Sequence, residues 1–345
     1  MAITGVTWRG FASANANAPG PQAVDGIPAL GSAVAGTLGL DAVRLVVNAS
    51  WWDTDVPVAG LGGTPYVAFI QEVVSWIEAD GLYVVLAPEP GAGGKPCLAT
   101  SAVTLLAPAC RPPVSPLPLA KQVALIRQFW KDATARFSEQ PAVLFEAWRG
   151  FGGSLRQWRQ VMPGVVDAIR SGAPGRPVVV DVPPGAKSVA SLGLRGPGLV
   201  FAVAVLAGSS QSPRSPSGAR SGYGRLGEPA RCSDSSFAAF RNWPAFPRAW
   251  LASARRQRSA LVLAPWGVCG SGERAGASAT GALAARISSF ARRTGVGAIA
   301  GALVPLVPVT GRVSPVGVPV IEVLPDAAGR AVSAAYQRMS GTSAP

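Results

Sequence analysis

The chain has 345 residues, 48% of them hydrophobic, with 31 Lys and Arg against 18 Asp and Glu and no histidine, giving a formal charge of +13. Without histidine, Ser-His triads, imidazole acid–base chemistry and most transition-metal sites are excluded, and neither a metal nor a cofactor is expected. No apolar run reaches the ~20 residues that span a bilayer, so no membrane span is expected. The charge reflects scarce acid more than abundant base. It favours acidic partners, an anionic polysaccharide or an acidic protein surface, with nucleic acid the less favoured; a composition biased towards Arg, Ala and Pro explains it equally well.

Residues 3–8 read as a short apolar strand, 27–40 as a glycine-containing helix and 42–47 as a strand. Over 66–79, Phe69, Val73, Trp76 and Ile77 recur on one helical face. A strand at 82–86 leads into a Pro- and Gly-rich loop over 88–116, and 117–137 is the longest expected helix. A strand follows at 143–148. Ser154 suits the N-cap of a helix over 154–171, which Pro163 is expected to interrupt or divide. Next come a strand at 177–182, a short helical piece at 186–192 and an apolar strand at 199–206. The Ser-, Gly- and Arg-rich stretch 208–231 reads as a loop, with Arg214, Arg220, Arg225 and Arg231 available to an acidic partner or simply solvated. A helix at 235–255, a strand at 260–264, a helix at 282–293, a strand at 298–305 and a closing helix at 327–339 complete the chain. The Val- and Pro-rich stretch 309–325 is expected to wrap the outside before that last helix.

The strands are continuous Val/Leu runs without alternation, as parallel strands covered by helices on both faces must be. Eight strand–helix units in one chain of this length predict an α/β fold, a single (β/α)8 TIM barrel over residues 1–345. The loops at 88–116 and 207–234 then lie on the face where barrel sites are built.

Cys97, Cys110, Cys232 and Cys269 form no Cys-x-x-Cys pair. Two disulfides are expected, Cys97 with Cys110 and Cys232 with Cys269, the alternative being four buried thiols. Disulfides imply an oxidising compartment, so the protein is expected to be secreted or extracellular with its leader absent from this chain.

Several stretches resemble the cellulase-type glycoside hydrolases of family 5. Gly5-Val6-Thr7-Trp8-Arg9-Gly10-Phe11 is similar to the family's first strand, and Leu38-Gly39-Leu40-Asp41-Ala42-Val43-Arg44-Leu45 to its second, including the arginine that supports the nucleophile. Asp80-Gly81-Leu82-Tyr83-Val84-Val85-Leu86 resembles the third. Val143-Leu144-Phe145-Glu146-Ala147-Trp148, preceded by a helix ending at Phe137, resembles the fourth. Where that family's fourth strand ends Asn-Glu-Pro, with Glu as the acid/base, this chain has Arg149-Gly150-Phe151. Where its seventh strand carries the nucleophilic Glu, this chain has Ala264-Pro265-Trp266-Gly267. The third strand's Asp-x-His becomes Ala87-Pro88-Glu89, the sixth strand's His and Tyr become Ala204 and Leu206, and the eighth strand keeps no aromatic residue. Of these signature positions only Arg44 is retained.

The family's activity, retaining O-glycosyl hydrolysis, needs two carboxyl groups about 5 Å apart, one protonated and one ionised. Gly150 and Pro265 offer neither. The resemblance therefore implies a pseudoenzyme that binds a glycan or packs as a subunit in an assembly. The alternative is an active hydrolase of a β-linked polysaccharide that uses relocated carboxylates, Glu89 and Asp181. Glu146 lies four residues before Gly150, so it shares the inward face but sits about 13 Å deeper; it is expected to be buried and paired, with Arg44 as the candidate. Arg149 either pairs with Glu89 or Asp181 or leaves the barrel mouth positive and able to bind an anion. Core packing is the favoured reading of the tryptophans and stacking on a sugar ring the alternative, with Trp51, Trp52 and Trp266 the ones expected to be most exposed and so the binding candidates. Asn48-Ala49-Ser50 is a glycosylation sequon at a strand end, where modification is expected to be blocked.

Overall fold

The computed structural model describes residues 3–8, 35, 40–57, 64–91, 117–183, 185–208, 245–269, 273–300, 306–309 and 322–325. Eight parallel strands close into a barrel in chain order: β1 (Thr4–Trp8), β2 (Ala42–Asn48), β3 (Tyr83–Glu89), β4 (Val143–Glu146), β5 (Val178–Asp181), β6 (Leu199–Gly208), β7 (Ala260–Cys269) and β8 (Gly297–Ala300). Pairing of Thr4 with Ala298 on one side and of Gly5 with Ala42 on the other closes the ring at β1. The expected (β/α)8 barrel is the observed fold.

Among the described residues the helices are α1 (Ala49–Thr54), α2 (Tyr66–Ala79), α3 (Leu119–Phe137), α4 (Leu155–Gly172), α5 (Ala245–Arg256) and α6 (Glu273–Thr294), with a 3-10 turn at Ala190–Leu192. β9 (Leu306–Val309) and β10 (Glu322–Pro325) pair antiparallel at the two ends of the stretch expected to wrap the outside, whose residues 310–321 lie outside the described residues.

Alternate residues of β3 to β8 face two different cores. Val43, Leu45 and Val47 of β2 pack outward against the helices, within a cluster that includes Phe69, Ile70, Phe129 and Trp130. Val85, Val179, Ala202, Val262 and Ile299 pack against one another inside the barrel. Burial on both faces is why the strand sequences are uniformly apolar.

Three local expectations are corrected. Pro163 does not divide its helix: α4 runs unbroken through it, started by a capping box in which Ser154 and Gln157 satisfy each other's backbone N–H groups. The carbonyl that Pro163 leaves unbonded belongs to Arg159, on an exposed turn where water can take its place. The expected helix at 282–293 begins at Glu273, because the Gly- and Ser-containing opening of α6 shows no apolar period. The chain also forms the six-residue α1 straight after β2, which hydrophobic spacing could not reveal. The helices expected at 27–40 and 327–339 lie outside the described residues apart from Ala35 and Leu40, and so does most of the loop at 208–231.

Candidate functional site

Strands β2 to β5 and the turn after β4 bring two arginines, Arg44 and Arg149, together with three carboxylates, Glu89, Glu146 and Asp181. Arg44 points inward from β2 and is 1% exposed. Its Nε donates to Glu146 Oε2 at 2.6 Å, and its Nη2 donates to both Glu146 Oε1 and Asp181 Oδ1, the latter at 2.8 Å. Glu146 is wholly buried on β4, as the inward alternation required, and Asp181 closes β5 with 16% of its side chain exposed. Burial works against the charged Arg44 guanidinium, yet the fields of Glu146 and Asp181 hold its pKa above the ordinary value. Burial pushes Glu146 up to about 7; Arg44 opposes that shift and the neighbouring Asp181 reinforces it. One cation between two carboxylates makes a net negative charge costly in a dry barrel, so a proton is retained most readily by the deeper acid.

A second ion pair caps this one. Arg149 follows β4 and is 4% exposed; its backbone N–H donates to Pro88 O at 3.0 Å, and its guanidinium pairs with Glu89. Of the two partners expected for Arg149, the structure selects Glu89. The backbone attachment to Pro88 sets the side chain beside the end of β3.

Gly150 sits between the two candidate carboxylates. Its φ is +71°, its backbone N–H donates to Asp181 Oδ2 at 3.3 Å, and a Cβ built on it would stand 3.8 Å from Glu89 Oε1. Asp181 thus meets donors at both oxygens, and Glu89 meets a guanidinium. Each is 16–20% exposed, so solvent reaches both.

Pro265 lies where β7 shifts register against both neighbours: Leu263 and Trp266 pair with Val203 and Val205 on β6, and with Ala298 and Ala300 on β8. This one-residue bulge is where a residue without an N–H can enter a central strand.

The tryptophans are anchors for the wall. Trp51 and Trp52 are 3% and 4% exposed, so they take the favoured core-packing role, and their candidacy as the exposed, ligand-stacking pair is corrected. They belong to α1, whose turn folds them inward: Trp51 packs edge-on to Tyr66, while Trp52 packs on Phe129 and donates Nε1–H to Asp132 at 2.8 Å. Trp130 and Trp158, also buried, donate to the carbonyls of Ala147 and Asp181 at 2.7 and 3.2 Å, fixing the ends of β4 and β5. Nothing in the sequence marked those two backbone attachments. The side chain of Trp266 lies outside the described residues, as do those of Cys97, Cys110, Cys232 and Cys269.

Asn48 is 1% exposed and N-caps α1, its Oδ1 accepting from the N–H groups of Ser50 and Trp51 at 3.0 and 3.2 Å. Its backbone N–H donates to the hydroxyl of Tyr66, whose pKa burial raises. The sequon asparagine is therefore a structural cap. Among the described residues there is no cluster of three or more metal-ligating side chains, and no helix is long and apolar enough to cross a membrane.

No family model matches the sequence, and no curated protein matches it. Solved structures do match over almost the whole chain. An endo-β-1,4-glucanase from Xanthomonas axonopodis pv. citri, carrying a triple mutation, is 15% identical with a TM-score of 0.59, covering 98% of this chain and 100% of its own. A GH5-4 broad-specificity endoglucanase from Clostridium longisporum is 14% identical with a TM-score of 0.57 over 98% and 96% of the two chains. The endoglucanase Cel5A catalytic domain of Thermobifida fusca is 13% identical with a TM-score of 0.54 over 98% and 92%. At such identities the likeness is one of fold, and the chain has the (β/α)8 barrel fold of the GH5 endoglucanases.

Proposed function

We propose that this chain is a non-hydrolytic relative of the family 5 barrels, a pseudoenzyme that acts by binding or as a packing subunit. The observation that carries the reading is the state of the mouth. By the resemblance of the strands, Gly150 and Pro265 stand for the family's acid/base and nucleophile, and the part-exposed carboxylates beside Gly150, Glu89 and Asp181, are engaged by Arg149, Arg44 and the Gly150 N–H. Retaining hydrolysis needs one carboxyl group to donate a proton and another to attack. Carboxylates held by guanidinium and amide donors are arranged as acceptors only.

Assembly is favoured over glycan capture. Trp51, Trp52, Trp148 and Trp158 are all buried, so they offer no face to a sugar ring. The paired cysteines and a secreted, oxidising setting belong to the same proposal, and thiol counting with and without reductant tests them.

The alternative is an O-glycosyl hydrolase acting on a β-linked polysaccharide through Glu89 and Asp181. Their partial exposure on either side of Gly150 favours it. Incubation with β-glucan and β-mannan separates the two readings. No release of reducing ends is expected; hydrolysis that disappears in Glu89→Gln or Asp181→Asn overturns the pseudoenzyme. A glycan array then divides binder from subunit, with no retained neutral or anionic glycan expected.

A further inference from the structure

The end of the barrel opposite the mouth, where helices finish and strands begin, carries a cluster of arginines. α5 ends in Arg255 and Arg256, Arg258 follows in the turn to β7, and α6 ends in Arg292 and Arg293. The two helix ends adjoin, because Arg255 Nη2 donates to the Thr294 carbonyl at 3.4 Å. All these arginines are exposed, as is Arg195 on the loop entering β6, and none has an ion-pair partner among the described residues. Between residues 245 and 300 the only carboxylate is Glu273, which opens α6 and so lies about 30 Å from its far end.

Cations at helix C-termini complement the helix dipole, and that explains one arginine per helix. It does not explain Arg258. This residue has φ +54°, in the left-handed region that such a cap normally gives to glycine. Its N–H donates to Arg255 O and the next N–H, of Ser259, reaches back to Ala254 O, both at 3.0 Å. A further cation is thus held over the end of α5 in a strained backbone.

We propose that this surface docks an acidic protein segment, a stretch of Asp and Glu side chains on a partner. Guanidinium forks match carboxylates in two-point contacts. The cluster is compact, spanning the last turns of two adjacent helices, and so suits a local acidic segment better than a long polyanion track. Those turns expose no aromatic ring: Phe290 is 1% exposed, which removes the stacking surface that bases and sugars use. Docking here leaves the mouth open, so the inference stands whether or not the barrel hydrolyses a glycan.

The test is titration of a fluorescent polyglutamate peptide with the full chain, followed by anisotropy. Binding is expected to weaken as salt rises and to fall about tenfold or more, some 1.4 kcal/mol, when Arg256→Ser, Arg258→Ser and Arg292→Ser are combined. Arg258→Gly, which suits the cap, is the fold-safe single variant and is expected to weaken binding by itself. A control combining Arg127→Ser, Lys131→Ser and Arg156→Ser removes the same charge from the exposed faces of α3 and α4. Equal loss in the control reduces the effect to net charge and overturns the site. Failure to bind polyglutamate overturns it too, and tighter binding of heparin or duplex DNA overturns the class of partner.

Discussion

Gly150 donates its backbone N–H to Asp181 Oδ2 at 3.3 Å, which makes it a fastener between the ends of β4 and β5. The position is open sterically, since the nearest atom to an added Cβ would be Glu89 Oε1 at 3.8 Å, but φ is +71°. Gly150→Ala is therefore expected to fold with a loss of about 1–2 kcal/mol from backbone strain alone. Gly150→Glu pays the same strain, sets a second carboxylate beside Glu89, and is expected to gain no hydrolysis. Gly91→Ala is the contrast: its Cβ would overlap the Asn48 side chain, and φ there is +69°. Denaturant midpoints should rank Gly150→Ala well above Gly91→Ala; the reverse order would show that the two glycines have been assigned the wrong constraints.

Glu146 and Arg44 form a pair that is expensive to break and cheap to replace. Arg44→Met leaves Glu146 buried without its cation and is expected to cost about 3–5 kcal/mol. The double variant Arg44→Met, Glu146→Leu removes both charges from the dry interior and is expected to recover most of that loss. Asp181 keeps its hydrogen bond to Gly150 and its solvent contact throughout. Urea unfolding of both variants measures the difference, and a double variant no better than the single one contradicts the account.

The barrel was legible because its strands are buried on both faces, and Val43–Val47 or Val178–Val180 can scarcely be read otherwise. The depth of Glu146 and its partner Arg44 followed from strand alternation and from charge that had to be satisfied. Core packing of Trp51 and Trp52 was the favoured reading, but their choice as the most exposed pair was wrong, because a six-residue helix is too short to show a period and exposure was inferred from position alone. The choice of Glu89 over Asp181 by Arg149 rests on a backbone hydrogen bond to Pro88 that no sequence spacing encodes. The shift of β7 at Pro265 left only the proline itself as a trace.

The pH dependence of stability should carry the sign of a buried acid. Burial raises Glu146 from 4.5 to about 7, so the folded state binds its proton more tightly than the unfolded chain does. Its contribution is full below about 4.5 and is lost as pH rises through about 7. The unfolding free energy of the native chain minus that of Glu146→Gln is expected to fall across this window. A difference that grows with pH would mark an ordinary ionised pair.

Asn48 is expected to stay unmodified when the chain is produced in a glycosylating host, because its amide is buried and capping α1. Asn48→Ala should cost about 1–2 kcal/mol through loss of the cap, and Asn48→Asp much less, since its carboxylate can accept the same two N–H groups. Peptide mass spectrometry and thermal unfolding read the two outcomes. A glycan on Asn48 would mean that the turn after β2 opens before the chain folds.

Arg258 offers the sharpest separation of stability from recognition. Arg258→Gly and Arg258→Ala both remove the cation, but only glycine relaxes at φ +54°. Glycine is expected to be the more stable by about 1 kcal/mol, with alanine close to the parent, because the strain belongs to any residue bearing a Cβ. Both variants should weaken polyglutamate binding to the same extent, since both lose the same guanidinium. Equal stability of the two would show that the cap is unstrained and that Arg258 needs no functional reason; unequal binding would trace recognition to the turn's shape instead of its charge.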